Sequence, residues 1–242
     1  MHVLRTNPDG GERANAMRRV KEPLAQGGTQ EEQDELVAQI LGPAAATDPS
    51  PVVRAAAIDA LGRFHDPRVP GLLIAAYHQA TGRKEGAAPP PVRPAGEPML
   101  LSDRLGLHGP SGFPPEVVGT LRTKCLDGLA RANTPEAAQF LGKIATGGSS
   151  VDDPSDRDVR LAAVRGLGKI RQKESVPILA KVLADEKNRD VGLASRAHEG
   201  LVSLTGKDLP PEPEQWNGLV QAGYEIAPEA STVQRAIGLF TP

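Results

Sequence analysis

Val52 to Phe64 reads VVRAAAIDALGRF, and Asp158 to Ile170 reads DVRLAAVRGLGKI. At an offset of 106 residues the two segments share V-R-x-A-A-[I/V]-x-x-L-G-[R/K]-[F/I] throughout. A period of this kind defines an architecture before any residue is read for chemistry. A third copy, LRTKCLDGLARA (Leu121 to Ala132), puts Arg122 on Arg54, Cys125 on Ala57 and Leu129 on Leu61. A fourth, ASRAHEGLVSL (Ala194 to Leu204), puts Ala197 on Ala163 and Leu201 on Leu167. RANAMRRVKEPL (Arg13 to Leu24) is a divergent first copy, with Met17 on Ile58 and Val20 on Leu61.

Behind most copies lies a second apolar segment: EEQDELVAQIL, DPRVPGLLIAAYHQA, TPEAAQFLGKIA and ESVPILAKVLAD. In the last, Val176, Leu179, Val182 and Leu183 recur at helical spacing and form one apolar stripe. Breakers stand where two helices per repeat require them. Asp48-Pro49 and Asp156 precede first helices, and Pro67 and Thr134-Pro135 open second ones. Ala56, Ala57, Ala162 and Ala163 allow close helix approach. A single pair cannot bury its apolar face, so the pairs must stack.

The run DPSPVVRAAAIDALG (Asp48 to Gly62), with a V-P-x-L-L partner start at Val69 and V-P-I-L at Val176, resembles bacterial HEAT repeats, in particular the HEAT-like repeats of the bilin-lyase type. The likeness covers roughly residues 12–205. It implies an all-α, right-handed α-solenoid of about five HEAT-like helix pairs in one domain, 1–242. Repeats 1–2 fall in 12–81, a Pro/Gly-rich insertion in 82–115, repeats 3–5 in 116–205 and a helical C-terminal cap in 206–242. The resemblance also implies a structural charge ladder at the heads of the first helices, on Asp48, Arg54, Arg122, Asp158 and Arg160.

The insertion holds 8 Pro and 6 Gly in 34 residues, and Pro89-Pro90-Pro91 favours extended geometry. Met99, Leu100, Leu101, Leu105, Leu107 and Phe113 are too apolar a cluster for a plain linker. They are expected to fold back over the second repeat or to clamp a ligand. In the tail, Trp216, Leu219, Val220, Ile237, Leu239 and Phe240 suit the seal that a solenoid end needs.

Composition narrows the function. With 28 basic residues against 30 acidic, no strong overall field draws the chain to nucleic acid or anionic lipid. Aromatics are 3%, so a stacking surface for bases is poorly supplied. The second helices mix Arg68, Glu136, Lys143, Lys181 and Asp185, not the cationic stripe a phosphate backbone needs. No apolar run reaches the ~20 residues of a membrane span. The single cysteine excludes an intrachain disulfide and fits a reducing compartment. The expected location is the cytoplasm, or the periplasm or exterior if a leader precedes this chain.

Catalytic and metal chemistry find no constellation. Cys125 falls on a small internal repeat position, and His2, His65, His78, His108 and His198 show no paired-ligand spacing. Gly147-Gly148 lacks the lysine of a phosphate loop. Asp152, Asp153, Asp156 and Asp158 lack the glycine and terminal Glu of a calcium loop. No catalytic residue, metal site or cofactor is expected. The expected function is a non-enzymatic protein–protein interaction scaffold that presents its second helices to a protein partner. The bilin-lyase resemblance supplies the alternative, a chromophore- or small-molecule-handling module. A nucleic-acid groove ranks third. Aligning Val69-Pro70 on Val176-Pro177 sets Ile74 on Lys181, Tyr77 on Ala184 and His78 on Asp185, so the second repeat shows apolar groups where another copy shows solvent-compatible ones. The partner-binding candidates are therefore Ile74, Tyr77, His78, Gln139, Lys143 and Lys181.

Overall fold

The computed structural model describes residues 4, 7–81, 112–147 and 157–228. Among them every regular element is helical. The first helices are α1 (Gly10–Arg19), α4 (Pro51–Leu61), α6 (Pro115–Ala132), α8 (Arg157–Leu167) and α10 (Val191–Thr205). The second helices are a composite rod made of α2 (Gln30–Asp34), a π-helical stretch (Glu35–Leu41) and α3 (Gly42–Thr47), followed by α5 (Val69–His78), α7 (Pro135–Ala145), α9 (Ser175–Glu186) and α11 (Pro213–Ala222).

The first helices pack in sequence as one layer, α1 on α4, α4 on α6, α6 on α8 and α8 on α10. The second helices pack as a parallel layer, α3 on α5, then α7, α9 and α11. Each second helix also packs against the first helix of the following repeat, α5 on α6, α7 on α8 and α9 on α10. This is an α-solenoid, and α11 occupies the second-helix place of a fifth pair.

Local signals set the helix ends. Asp9 Oδ1 accepts from the N–H of Gly11 at 2.7 Å, Thr29 and Glu32 form a capping box, and Thr134 Oγ1 accepts from Ala137 N–H at 3.2 Å. The first of the second helices runs on to Thr47, six residues beyond the segment read from sequence. Pro43 cannot donate a backbone bond, and the ladder shifts to π spacing just before it, with Gly42 N–H reaching Val37 O.

One motif repeats between the layers. Leu73, Leu141 and Leu179 on successive second helices each point at a glycine on the next first helix, Gly128, Gly166 and Gly200. The same glycines face a small residue of the preceding first helix, in the pairs Gly62–Gly128, Ala130–Gly166 and Gly168–Gly200. A β-carbon on Gly168 would stand 2.9 Å from Gly200 Cα. The first helices therefore cross almost backbone to backbone, and the leucines, all fully buried, fill the hollow.

The turn of the second pair is held by Asp66, which accepts from Arg68 N–H at 2.9 Å, Nε at 2.8 Å and Nη2 at 2.6 Å, and from the buried Gln33 amide at 3.0 Å. The Arg68 hydrogen bonds hold the Asp66 carboxyl at about 2, below the ordinary range. A depressed acid stabilises the fold above its unfolded value of ~3.9 and loses that contribution as pH falls toward the folded value. Asp66→Asn is expected to lower stability at pH 7 by about 1–2 kcal/mol. Chemical denaturation should show the difference closing between pH of about 4 and about 2; a difference that persists at the lower end would assign the effect to shape.

Phe113, the described end of the insertion, donates its N–H to Thr81 O at 2.8 Å and sets its ring 4.9 Å from the Arg54 guanidinium. The other apolar residues of the insertion, Met99 to Leu107, lie outside the described residues, as do Asp152, Asp153, Asp156, Ile237, Leu239 and Phe240.

Candidate functional site

The six sequence-derived candidates all lie on the second-helix layer, but they do not all face outward. His78, Gln139, Lys143 and Lys181 are exposed, Ile74 is half-buried, and Tyr77 is only 4% exposed. Aligning the Val-Pro pairs displaces α5 by one residue from the register that packing imposes. Since Leu73, Leu141 and Leu179 play one part, Tyr77 corresponds to Ala145 and Leu183, and all three are buried. Ile74 corresponds to Gly142 and Ala180, and the outward column is Ala75, Lys143 and Lys181. Tyr77 is therefore a core residue, and its aromatic character does not mark an exposed anchor.

What Tyr77 does is support a ring cluster. Its ring meets the edge of Phe140 at 5.2 Å and of His78 at 5.7 Å, and His78 meets Phe140 at 5.7 Å. The Arg122 guanidinium also lies over the Tyr77 ring, 5.2 Å from its centroid. The buried tyrosine thus props an exposed His78 and a half-buried Phe140 at the seam between α5 and α7, with Gln139 and Lys143 alongside. Lys181, one repeat further, pairs with Asp185 at 2.8 Å. Phe140 was not among the expected site residues, although its repeat position, shared with Leu72 and Ile178, carries an apolar side chain in each copy.

The charge ladder is differently built from its expected form. Asp48 accepts two bonds from Arg13 Nη2, at 3.1 and 3.0 Å, and so ties the first repeat to the second. Asp158 stands exposed, and the carboxylate that bridges at the head of α8 is Asp190, held by Arg157 at 2.6 and 3.0 Å. The Arg157 hydrogen bonds hold the Asp190 carboxyl at about 2, and its Oδ1 also caps α10. Arg54 and Arg160 serve helix C-termini instead. Arg54 donates to Gln79 O at 2.6 Å and to Asp48 O at 2.7 Å, and Arg160 donates to Ala145 O at 3.1 Å and Glu186 Oε1 at 2.6 Å. Those carbonyls lack helical donors, so the arginines complete the bonding of the helix ends. Burial pulls the Arg54 guanidinium below its ordinary value, and Asp48 opposes the shift.

Cys125 is fully buried, and burial pushes its thiol far above the ordinary range, with Asp59 adding to the shift. A thiol held protonated and covered cannot act as a nucleophile. Ellman's reagent is expected to leave native protein unmodified and to titrate one thiol per chain after denaturation; rapid native labelling would show that α6 opens. Among the described residues no group of three or more His, Cys, Asp or Glu could hold a metal, and no helix is long and apolar enough to cross a membrane.

A family model described as HEAT repeats matches residues 119–197, and one described as PBS lyase HEAT-like repeat matches residues 53–79. Both matches fall on stacked helix pairs and support a HEAT-repeat protein. No curated protein and no solved structure matches the chain.

Proposed function

We propose that this HEAT-repeat solenoid is a non-enzymatic scaffold that binds a protein partner on its second-helix layer. HEAT repeats are generally protein-interaction scaffolds. The observation that carries the reading is the seam at α5 and α7. Exposed His78 and half-buried Phe140 stand there as aromatic surface on a buried tyrosine, flanked by Gln139 and Lys143. A rigid aromatic with an adjacent polar rim is the composition of an interface anchor. Action in the cytoplasm belongs to the same reading, which the one buried thiol supports.

A photo-crosslinking amino acid placed at Gln139, and in a separate variant at Ser195 on α10, tests it in the native cell. The expected result is a discrete protein adduct from position 139 and none from 195. Equal adducts from both, or none from 139, would remove the assignment. The match over 53–79 favours a second reading, a chromophore- or small-molecule-handling module. Protein purified from its source with a stoichiometric visible chromophore would put that reading first.

A further inference from the structure

A series of hollows follows the edge formed by the turns inside the helix pairs. At one end, Glu22, Asp34 and Asp66 surround Arg68. In the middle, Arg63 and Arg131 flank a hollow of about 320 Å³. At the other end lies a cavity of about 1060 Å³ whose wall carries Arg131, Arg165, Lys169 and Arg171 against the single carboxylate of Asp127. His65 and Asp66 line both the first hollow and the second, and Arg131 lines both the second and the third, so the edge is continuous.

The cations come from repeat geometry. Arg63, Arg131 and Lys169 hold one repeat position, just after the crossing of the first helices, so stacking brings them into a column. Arg131 lies across Gly62, where a β-carbon would come within 2.9 Å of Nη1. Arg171 is fixed in place by donation to Ala227 O at 2.7 Å and Ser203 O at 3.3 Å, while its backbone N–H donates to Asn133 Oδ1 at 2.8 Å. Carbonyl acceptors orient a guanidinium without cancelling its charge. Asp127 is already engaged by Arg165 at 2.8 Å. Among the described residues Arg131 and Lys169 enter no ion pair, and both are exposed. The cavity thus holds three cationic heads uncompensated by a carboxylate on a rigid wall.

We propose that this cavity binds a short acidic peptide segment, whose carboxylates pair with Arg131, Lys169 and Arg171. The cavity wall itself covers three neighbouring repeats, from Arg131 past Lys169 and Arg171 to Ser203, roughly 20 Å at 8–10 Å between helix axes. That matches about six extended residues at ~3.3 Å each. A long polyanion is disfavoured, because the same edge turns acidic at Glu22, Asp34 and Asp66. The wall also carries no aromatic side chain on which a base could stack. The site lies on the turn edge and does not depend on the second-helix seam.

Fluorescence polarisation with fluorescein-labelled hexaglutamate tests the site, with hexaglutamine and an oligothymidylate as comparison probes. Wild-type protein is expected to bind hexaglutamate saturably and to ignore hexaglutamine. Lys169→Glu and Arg131→Glu should each weaken binding about tenfold or more, since each replaces an attraction with a repulsion. Lys169→Gln, which removes charge alone from an exposed position, should weaken it by a smaller factor. Arg189→Glu, exposed in the loop between α9 and α10 at the opposite end of the helices from the turn edge, should leave it within about twofold. Circular dichroism checks that each variant folds. No saturable binding, equal affinity in Lys169→Gln and Lys169→Glu to wild type, or tighter binding of the oligothymidylate would each overturn the proposal.

Discussion

Trp216→Ala is expected to lower the unfolding free energy by about 3–5 kcal/mol, the range for emptying a fully buried aromatic site. The indole is 0% exposed, its Nε1 donates to Pro210 O at 2.9 Å, and its ring meets the edge of His198 at 5.7 Å. Truncation leaves a cavity between α10 and α11 and an acceptor without its donor. Because repeats in a solenoid contact only their neighbours, the loss should be local. Amide hydrogen exchange should accelerate in α10 and α11 and remain as in wild type in α1 and α4. A uniform acceleration across all helices would mean that the array unfolds as one cooperative unit. An unchanged denaturation midpoint would remove Trp216 from its role as the seal of the last pair.

Gly168→Val acts in the middle of the same array and is expected to cost about 3 kcal/mol. The new β-carbon would lie 2.9 Å from Gly200 Cα, so the obstacle is backbone that cannot rotate away. Relief requires α8 and α10 to separate, which also loosens Leu179 in the hollow at Gly200. Weakening one interface of a linear array should split unfolding into two transitions, with the fifth pair leaving first. Gly71→Ala is the control, since nothing lies within 4 Å of a β-carbon there and the residue is exposed. Wild-type stability in Gly168→Val, or an equal loss in Gly71→Ala, would refute the close-crossing account.

The solenoid was legible because its cause is written in every copy. The V-R-x-A-A motif places apolar and small residues on the faces that stack, and the second segments carry their own helical stripes. The breakers also speak locally, as Thr134 and Asp48 do when they satisfy N–H groups at helix starts. The candidate site was less legible. Matching Val-Pro to Val-Pro aligns α5 with α9 one residue out of register, because the proline occupies the second position of α5 and the third of α9. The true register is set by which leucine enters the glycine hollow of the next repeat. A one-residue slip turns a helix by about 100°, enough to move Tyr77 from core to surface.

The sequence by itself determined the helix pairs, their stacking, the small residues at the crossings, and the absence of a recognisable catalytic spacing, since each of these follows from local periodicity and residue type. Only the tertiary structure decided that Asp48 answers Arg13, that Asp190 and not Asp158 bridges at the head of α8, and that Arg131, Lys169 and Arg171 stand together on the wall of an open cavity. Those relations join residues about one or more repeats apart. They depend on the angle and distance at which one helix crosses the next, and that geometry is set by glycines and leucines whose partners lie in neighbouring repeats.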